Sequence, residues 1–255
     1  MANLRAVLLA AGRGTRMGGE TPKTLLPVGD HEPLLHYILS GLAAAGVQDL
    51  FVVTGHRPAE VQDYVAARSA FATVTFLRNP RFASWGNFHS VRVAIDQSPG
   101  MDVLVVNSDV VVHPDVYRSV VETRGELVLA VERRRVLDAE DMRVQLSGDR
   151  LITIGKDLRM PLSHGEYAGV SLLRPVAAAM YSEISTNLEW AADTNRYYED
   201  VYEMMLRRGL DAHAALFPEG RYAEVDTPED VAVAAAVIES NSDAWPAPAE
   251  AGSDA

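Results

Sequence analysis

An apolar run, Leu4–Ala10, leads straight into Gly12-Arg13-Gly14-Thr15-Arg16-Met17-Gly18-Gly19, with Pro22-Lys23-Thr24 shortly after. Glycines let successive backbone N–H groups converge on an anion, and arginine and lysine supply charge that phosphate oxygens accept. A loop that follows a first strand lies at the carboxyl end of a sheet, where open α/β folds bind ligands. The chemistry implied is the handling of a polyphosphate by Arg13, Arg16 and Lys23; the bland alternative is a solvated surface loop. Two acids occupy comparable places. Asp109 lies just beyond the apolar stretch Asp102–Asn107, and Asp226 ends Tyr222-Ala223-Glu224-Val225-Asp226. Brought together they would form a hard oxygen site for Mg²⁺, with Glu224, on the same side of its short strand as Asp226, as a further candidate. Taken singly, Asp109 reads equally as a turn cap and Asp226 as a helix-start residue beside Thr227.

The two standard phosphate motifs do not fit. A dinucleotide fingerprint starts correctly at Gly12-Arg13-Gly14, but its third glycine position is Met17. The second strand ends Thr54-Gly55-His56, without the acid that holds a ribose hydroxyl. A Walker A loop needs glycine before the lysine, and Pro22 stands there. The seven histidines show no metal-ligand spacing, and no Gly-x-Ser-x-Gly elbow or cysteine occurs.

The elements that must position these residues alternate. Strands are expected at Leu4–Ala10, Asp49–Thr54, Thr73–Leu77 and Asp102–Asn107, with helices at Pro33–Gly46, Pro58–Arg68, Phe88–Gln97 and Pro114–Arg124. That rhythm gives βαβ units, a mainly parallel sheet and a doubly wound α/β domain. Beyond residue 125 it changes. Glu126–Glu132, Met142–Ser147, Arg150–Ile154 and Gly165–Leu173 read as strands, with a hairpin turn at Ser147-Gly148-Asp149. Helices at Pro175–Ile184 and Tyr197–Arg208, strands at Ala212–Phe217 and Ala223–Val225, and a helix from Thr227 complete the expectation. One domain over 1–240 results, 1–125 mainly for nucleotide and 126–220 mainly for an acceptor, with a disordered tail over 241–255. The net charge of −12 argues against nucleic acid as a partner. No segment has the length of a membrane span or a signal sequence, so a cytoplasmic protein is expected, with a homodimer left open.

Leu9-Ala10-Ala11-Gly12-Arg13-Gly14 and the residues up to Asp30 resemble the signature of nucleotidyltransferases that join a nucleoside monophosphate to a phosphorylated sugar, alcohol or phosphonate. The resemblance implies a Rossmann-like domain whose opening loop, from Leu9, Ala10 and Ala11 through Gly12, Arg13 and Gly14, wraps a nucleoside triphosphate. It implies that Arg13 and Lys23 meet the phosphates, and that Asp109 and Asp226 bind metal. The chain departs from many relatives in carrying Ser108 where they have glycine.

Asn79 to Ser90 (NPRFASWGNFHS) resembles the matching part of cytidylyltransferases acting on phosphocholine and on 2-aminoethyl- or 2-hydroxyethylphosphonate. Asn79, Asn87 and Ser90 then border the nucleotide, and CTP is the expected donor; helix capping is the competing role of Asn87. Ile154-Gly155-Lys156-Asp157-Leu158 and Gly165-Glu166-Tyr167-Ala168-Gly169-Val170 resemble the acceptor side of the same enzymes. Lys156 is the candidate cation between the acceptor dianion and the triphosphate, with Arg159 assisting. Glu166 is a further acceptor-side candidate, and the resemblance puts the run Tyr197-Tyr198-Glu199-Asp200 near the acceptor's organic end, although acids in a first helical turn more commonly interact with the helix dipole. The expected reaction is Mg²⁺-dependent attack of a phosphonate or phosphocholine oxygen on CTP. The alternatives are a sugar-1-phosphate or molybdopterin nucleotidyltransferase and a non-catalytic nucleotide sensor. A nicotinamide-dependent oxidoreductase is weakened by Met17.

Overall fold

The computed structural model describes residues 3–14, 21–68, 70–134 and 136–245. In chain order the first half comprises β1 (Leu4–Ala10), α1 (Leu34–Ala44), β2 (Asp49–Thr54), α2 (Pro58–Arg68), β3 (Thr73–Arg78), α3 (Phe88–Asp96), β4 (Asp102–Asn107), β5 (Val110–Val112) and α4 (Pro114–Glu122). There follow β6 (Leu127–Arg133), β7 (Arg143–Ser147), β8 (Arg150–Gly155), β9 (Gly165–Leu173), α5 (Pro175–Trp190), α6 (Tyr198–Arg207), β10 (Ala212–Pro218), β11 (Tyr222–Glu224) and α7 (Asp230–Ser240).

Nine strands form one sheet in the order β3-β2-β1-β4-β9-β6-β10-β8-β7. The β3-β2-β1-β4 half is parallel, as the alternation of strands and helices requires. Strand β9 enters antiparallel to both β4 and β6, which makes the whole sheet mixed. Strand β7 pairs with β8 and, through Arg143↔Glu166 and Val144↔Gly165, also with β9. The strands β9, β6, β10, β8 and β7 therefore close into a small ring.

Period-two alternation sends side chains to both faces. Ala6, Leu8 and Ala10 of β1 join a core with Leu35, Ile38 and Leu42 of α1, Val61 of α2 and Tyr117 of α4. Val7 points the other way, towards Phe88 and Val91 of α3, Tyr181 of α5 and Tyr202 of α6. With helices on both faces, the fold is doubly wound α/β.

Four expectations need adjusting. The strand β5 lies where only a loop was expected, and α5 runs on to Trp190, six residues beyond Ile184. The last helix starts at Asp230 rather than at Thr227. The tail does not begin at Asn241: Ser242–Ala244 forms a 3₁₀ turn, and Trp245 is buried against Tyr37, their rings edge to face at 5.4 Å. Residues 246–255 lie outside the described residues. Among the described residues no helix is long and apolar enough to cross a membrane.

Candidate functional site

After β1 the chain turns through Ala11 to Gly14, and Gly14 adopts φ +58°. A Cβ at Gly14 would sit 2.9 Å from the Lys23 Cβ, so glycine lets this loop close onto the 3₁₀ turn Lys23–Leu25. The Lys23 ammonium does not project freely into solvent. Its Nζ donates to Asp109 Oδ2 at 3.1 Å and also to Asp226 Oδ1. Burial alone would lower its pKa, but the charge of Asp109 and the bonds to Asp226 outweigh that and raise it. Arg16, the third expected phosphate cation, lies outside the described residues.

A second, two-stranded sheet brings the acids together. Strand β11 runs antiparallel to β5 with Glu224 opposite Val110, one residue from Asp109. Oxygen atoms of Asp109, Glu224 and Asp226 consequently lie within 4.8 Å of one another. Removal from water and the charges of Asp109 and Asp226 push Glu224 up to about 8. Asp109 Oδ1 is buried without a hydrogen-bond partner. Three carboxylates with one oxygen left unsatisfied suit a hard divalent cation such as Mg²⁺.

The turn carrying Asp226 is held by Asp230. Its Oδ2 accepts from the N–H of Asp226 at 2.9 Å, the N–H of Thr227 at 2.7 Å and Thr227 Oγ1 at 3.0 Å. Asp230, the first residue of α7, thus receives these hydrogen bonds, and Thr227 donates rather than accepts.

Two cavities meet at the acids. One, of about 520 Å³, is walled by the glycine loop from Leu9 to Gly14 together with Lys23, Asn87, Ser90 and Asp109. The other, of about 590 Å³, is walled by Lys156, Glu166, Tyr167, Glu199, Tyr222 and Glu224 among others. Asn87, Asn107, Asp109, Tyr197 and Asp226 border both. The second cavity is acidic. Burial pushes Glu199 up to about 7, and its Oε2 has no hydrogen-bond partner. Glu166 is likewise pushed up to about 7 by burial, although Arg134 NH1 stands 2.9 Å away.

A family model for the MobA-like NTP transferase domain matches residues 6–183. The chain belongs to this family. Its relatives include the CMP-5′-(3-aminopropyl)phosphonate synthase of Streptomyces rubellomurinus, 37% identical over 44% of this chain and 18% of that protein. The bifunctional IPC transferase and DIPP synthase of Thermococcus kodakarensis is 36% identical over 61% of this chain and 34% of its own length. The chain thus spans about a third or less of these two relatives. Among solved structures, the inositol-1-phosphate CTP transferase of T. maritima superposes with TM-score 0.78 at 19% identity, covering 92% of this chain and 96% of that one. The CTP:phosphocholine cytidylyltransferase of Streptococcus pneumoniae gives 0.71 at 20%, covering 89% and 96%.

Within this NTP transferase domain, Leu9, Ala10, Ala11, Gly12, Arg13, Gly14, Lys23, Asn87, Ser90 and Asp109 all line the first cavity. Asn79 does not. It is 1% exposed, donates to Ser90 Oγ at 2.9 Å and accepts from the N–H of Arg81 at 2.8 Å, so it supports Ser90 from beneath. Asn87 makes no side-chain cap to α3; its Oδ1 accepts from the N–H of Tyr198 at 2.9 Å. A backbone N–H can only donate, so the Asn87 Nδ2 is the group left for a ligand.

Of the residues expected to meet an acceptor, Lys156, Glu166 and Glu199 line the second cavity, while Tyr198 and Asp200 do not. Tyr198 is fully buried and donates its hydroxyl to Asn107 Oδ1 at 2.9 Å. Asp200 Oδ2 accepts from the N–H of Tyr197 at 2.8 Å, the helix-start role that acids in a first turn commonly play. Arg159 is absent from both linings. Sequence reasoning missed Asn107 and Arg134. Asn107 ends β4 against Gly169, where a Cβ would come within 2.9 Å of its Nδ2. That left-handed glycine was the one available signal, and it marks close packing without naming the neighbour.

Proposed function

We propose that this chain is a Mg²⁺-dependent cytidylyltransferase transferring CMP from CTP to a small amine-bearing phosphonate or phosphate ester, with release of pyrophosphate. The observation that carries the reading is the pair of cavities meeting at Asp109 and Asp226, one walled by a glycine loop and the other acidic. The names of the relatives support cytidylyl transfer, and that of the S. rubellomurinus synthase supports an aminoalkylphosphonate.

Asp109 and Asp226, with Glu224, would hold the Mg²⁺, which supplies neutralisation of triphosphate charge. The glycine loop and Arg13 hold the triphosphate in the first cavity, and Asn87 and Ser90 face the nucleoside. Lys156 meets the acceptor's anionic head and lowers its repulsion by the triphosphate. Glu199, buried with an unpartnered oxygen, faces the acceptor's ammonium. An acceptor oxygen, already ionised near neutral pH, attacks the α-phosphorus in line; its new P–O bond forms as the bond to pyrophosphate breaks. No general base is required, and catalysis is positioning plus electrostatics. The acidic second cavity favours this acceptor class over a sugar phosphate, which carries no cationic group at its organic end.

The test is direct. The protein is incubated with each of the four nucleoside triphosphates, Mg²⁺ and a panel of 2-aminoethylphosphonate, 2-hydroxyethylphosphonate, phosphocholine, inositol-1-phosphate and glucose-1-phosphate, and pyrophosphate is measured. Release with CTP and an amine-bearing acceptor is expected. Release confined to UTP or to sugar phosphates overturns the reading.

A further inference from the structure

Lys23 sits where a cation is wanted and a metal is expected. Its Nζ is bonded to Asp109 and Asp226, two of the three carboxylates in the cluster, and its side chain is only 14% exposed. We propose that Lys23 is a stand-in cation: in the nucleotide-free protein its ammonium occupies the acid cluster and keeps divalent metal out. The triphosphate, arriving in the cavity that Lys23 also lines, draws the ammonium onto its own oxygens and releases the carboxylates. Metal and nucleotide then bind as a pair, and the free protein holds neither tightly. This inference rests on the reading of Asp109 and Asp226 as metal ligands.

The physical basis is exchange between cations. The charges of Asp109 and Asp226, crowded with Glu224 so that their oxygens lie within 4.8 Å, repel one another, and one ammonium between them relieves much of that repulsion. A divalent ion entering the cluster must displace the ammonium, which loses two charge-assisted hydrogen bonds unless new anionic acceptors stand within reach. Phosphate oxygens in the first cavity are such acceptors. Gly14 packs against the Lys23 Cβ, so the lysine's root is held by the phosphate loop while its tip is held by the acids. The residue therefore connects the two halves of the nucleotide site.

The experiment measures Mn²⁺ affinity of the full chain without nucleotide, by electron paramagnetic resonance and calorimetry. Wild type is expected to bind weakly, and Lys23→Met to bind roughly tenfold tighter or better, since the metal no longer has to break the ammonium's two charge-assisted bonds to Asp109 and Asp226. Lys23→Arg, which keeps the charge, should stay near wild type. Adding Asp109→Asn to Lys23→Met should remove the gain. Thermal melts guard against a folding defect: Lys23→Met should lose stability in chelator and recover it with Mn²⁺, with Lys23→Gln as the second variant read the same way. Unchanged Mn²⁺ affinity in Lys23→Met, or a melt indifferent to Mn²⁺, overturns the proposal. The cytidylyltransferase reading fails separately, through absent pyrophosphate release by wild type, while the Mn²⁺ titration still decides the role of Lys23.

Discussion

The backbone N–H of Val225 donates to the carbonyl of Asp109 at 2.8 Å. This bond carries the β5–β11 pairing one step past Val110 and Glu224, to the position of the acids themselves. Like charges would separate if free to do so; backbone pairing, with the Lys23 ammonium between them, holds Asp109 and Asp226 close. Their approach is built into the chain trace, and neutralising either should leave it in place.

Asp109→Asn and Asp226→Asn are therefore expected to lower turnover by about two orders of magnitude or more while retaining the fold. Steady-state kinetics beside circular dichroism checks both halves. Chelator should silence the wild type to the same level. Full turnover in the double variant would remove the metal assignment.

Asp230→Ala removes the acceptor of three hydrogen bonds that fix the Asp226 turn. Loss of such a cap costs about 0.5–2 kcal/mol of stability. Turnover should fall further than that figure implies, because Asp226 loses its orientation. Asp230→Asn, which keeps an acceptor oxygen, should restore part of the activity. An Ala variant with lowered stability and unchanged kinetics would make Asp230 a cap and nothing more.

Arg13 is exposed on the wall of the first cavity with its guanidinium 5.8 Å from the Phe82 ring. Arg13→Ala is expected to weaken CTP binding by about 1.5–3 kcal/mol, the range for a charge-assisted contact. Acceptor KM at saturating CTP should change little. Calorimetry that finds CTP affinity unaltered would return Arg13 to the solvated surface.

Lys156 and Glu199 should separate by acceptor. Lys156→Ala is expected to impair every acceptor, since all share the anionic head. Glu199→Gln should penalise 2-aminoethylphosphonate relative to 2-hydroxyethylphosphonate, because an ammonium gains more from a carboxylate than a hydroxyl does. CTP binding without acceptor should survive both changes. An unaltered ranking in Glu199→Gln would move the organic end of the acceptor elsewhere in the cavity.

Glu199 also sets a pH dependence of stability. Its carboxyl ordinarily titrates near 4.5, and in the fold burial, aided by the charges of Asp200 and Asp109, pushes it up to about 7. Between those values the unfolded chain has released a proton that the folded chain retains, so stability falls as pH rises. Glu199→Gln should accordingly be more stable than wild type above pH 7, by up to about 3 kcal/mol, with the gap closing near pH 4. Denaturant melts of the acceptor-free protein at both extremes test the sign.

Much of this was legible in the chain because it is local. The run Leu4–Ala10 is apolar without a break, and Gly14 and Lys23 lie close enough in sequence to belong to one loop. What escaped is pairing over distance. Strand β5 is three valines, set off from β4 only by Ser108 and Asp109, with a partner more than 100 residues on. Without β5, no local pattern brings Asp109 to Asp226, and only the family resemblance pairs them. Side-chain direction escaped as well. Glu199 and Asp200 are neighbours of like chemistry, yet one lines the second cavity and the other takes a backbone N–H. Which does which is set by how the start of α6 is tied down, through Gly86 N–H to Thr194 O at 2.8 Å and Tyr198 N–H to Asn87.

The ring formed by β9, β6, β10, β8 and β7 leaves this side of the sheet without a long unpaired border, because β7 turns back onto β9. Among the described strands of the large sheet, the open border is β3. Such a border is a template on which another strand can add. Two copies joining sheet to sheet would therefore meet at β3, three strands from β4 and the acid that follows it.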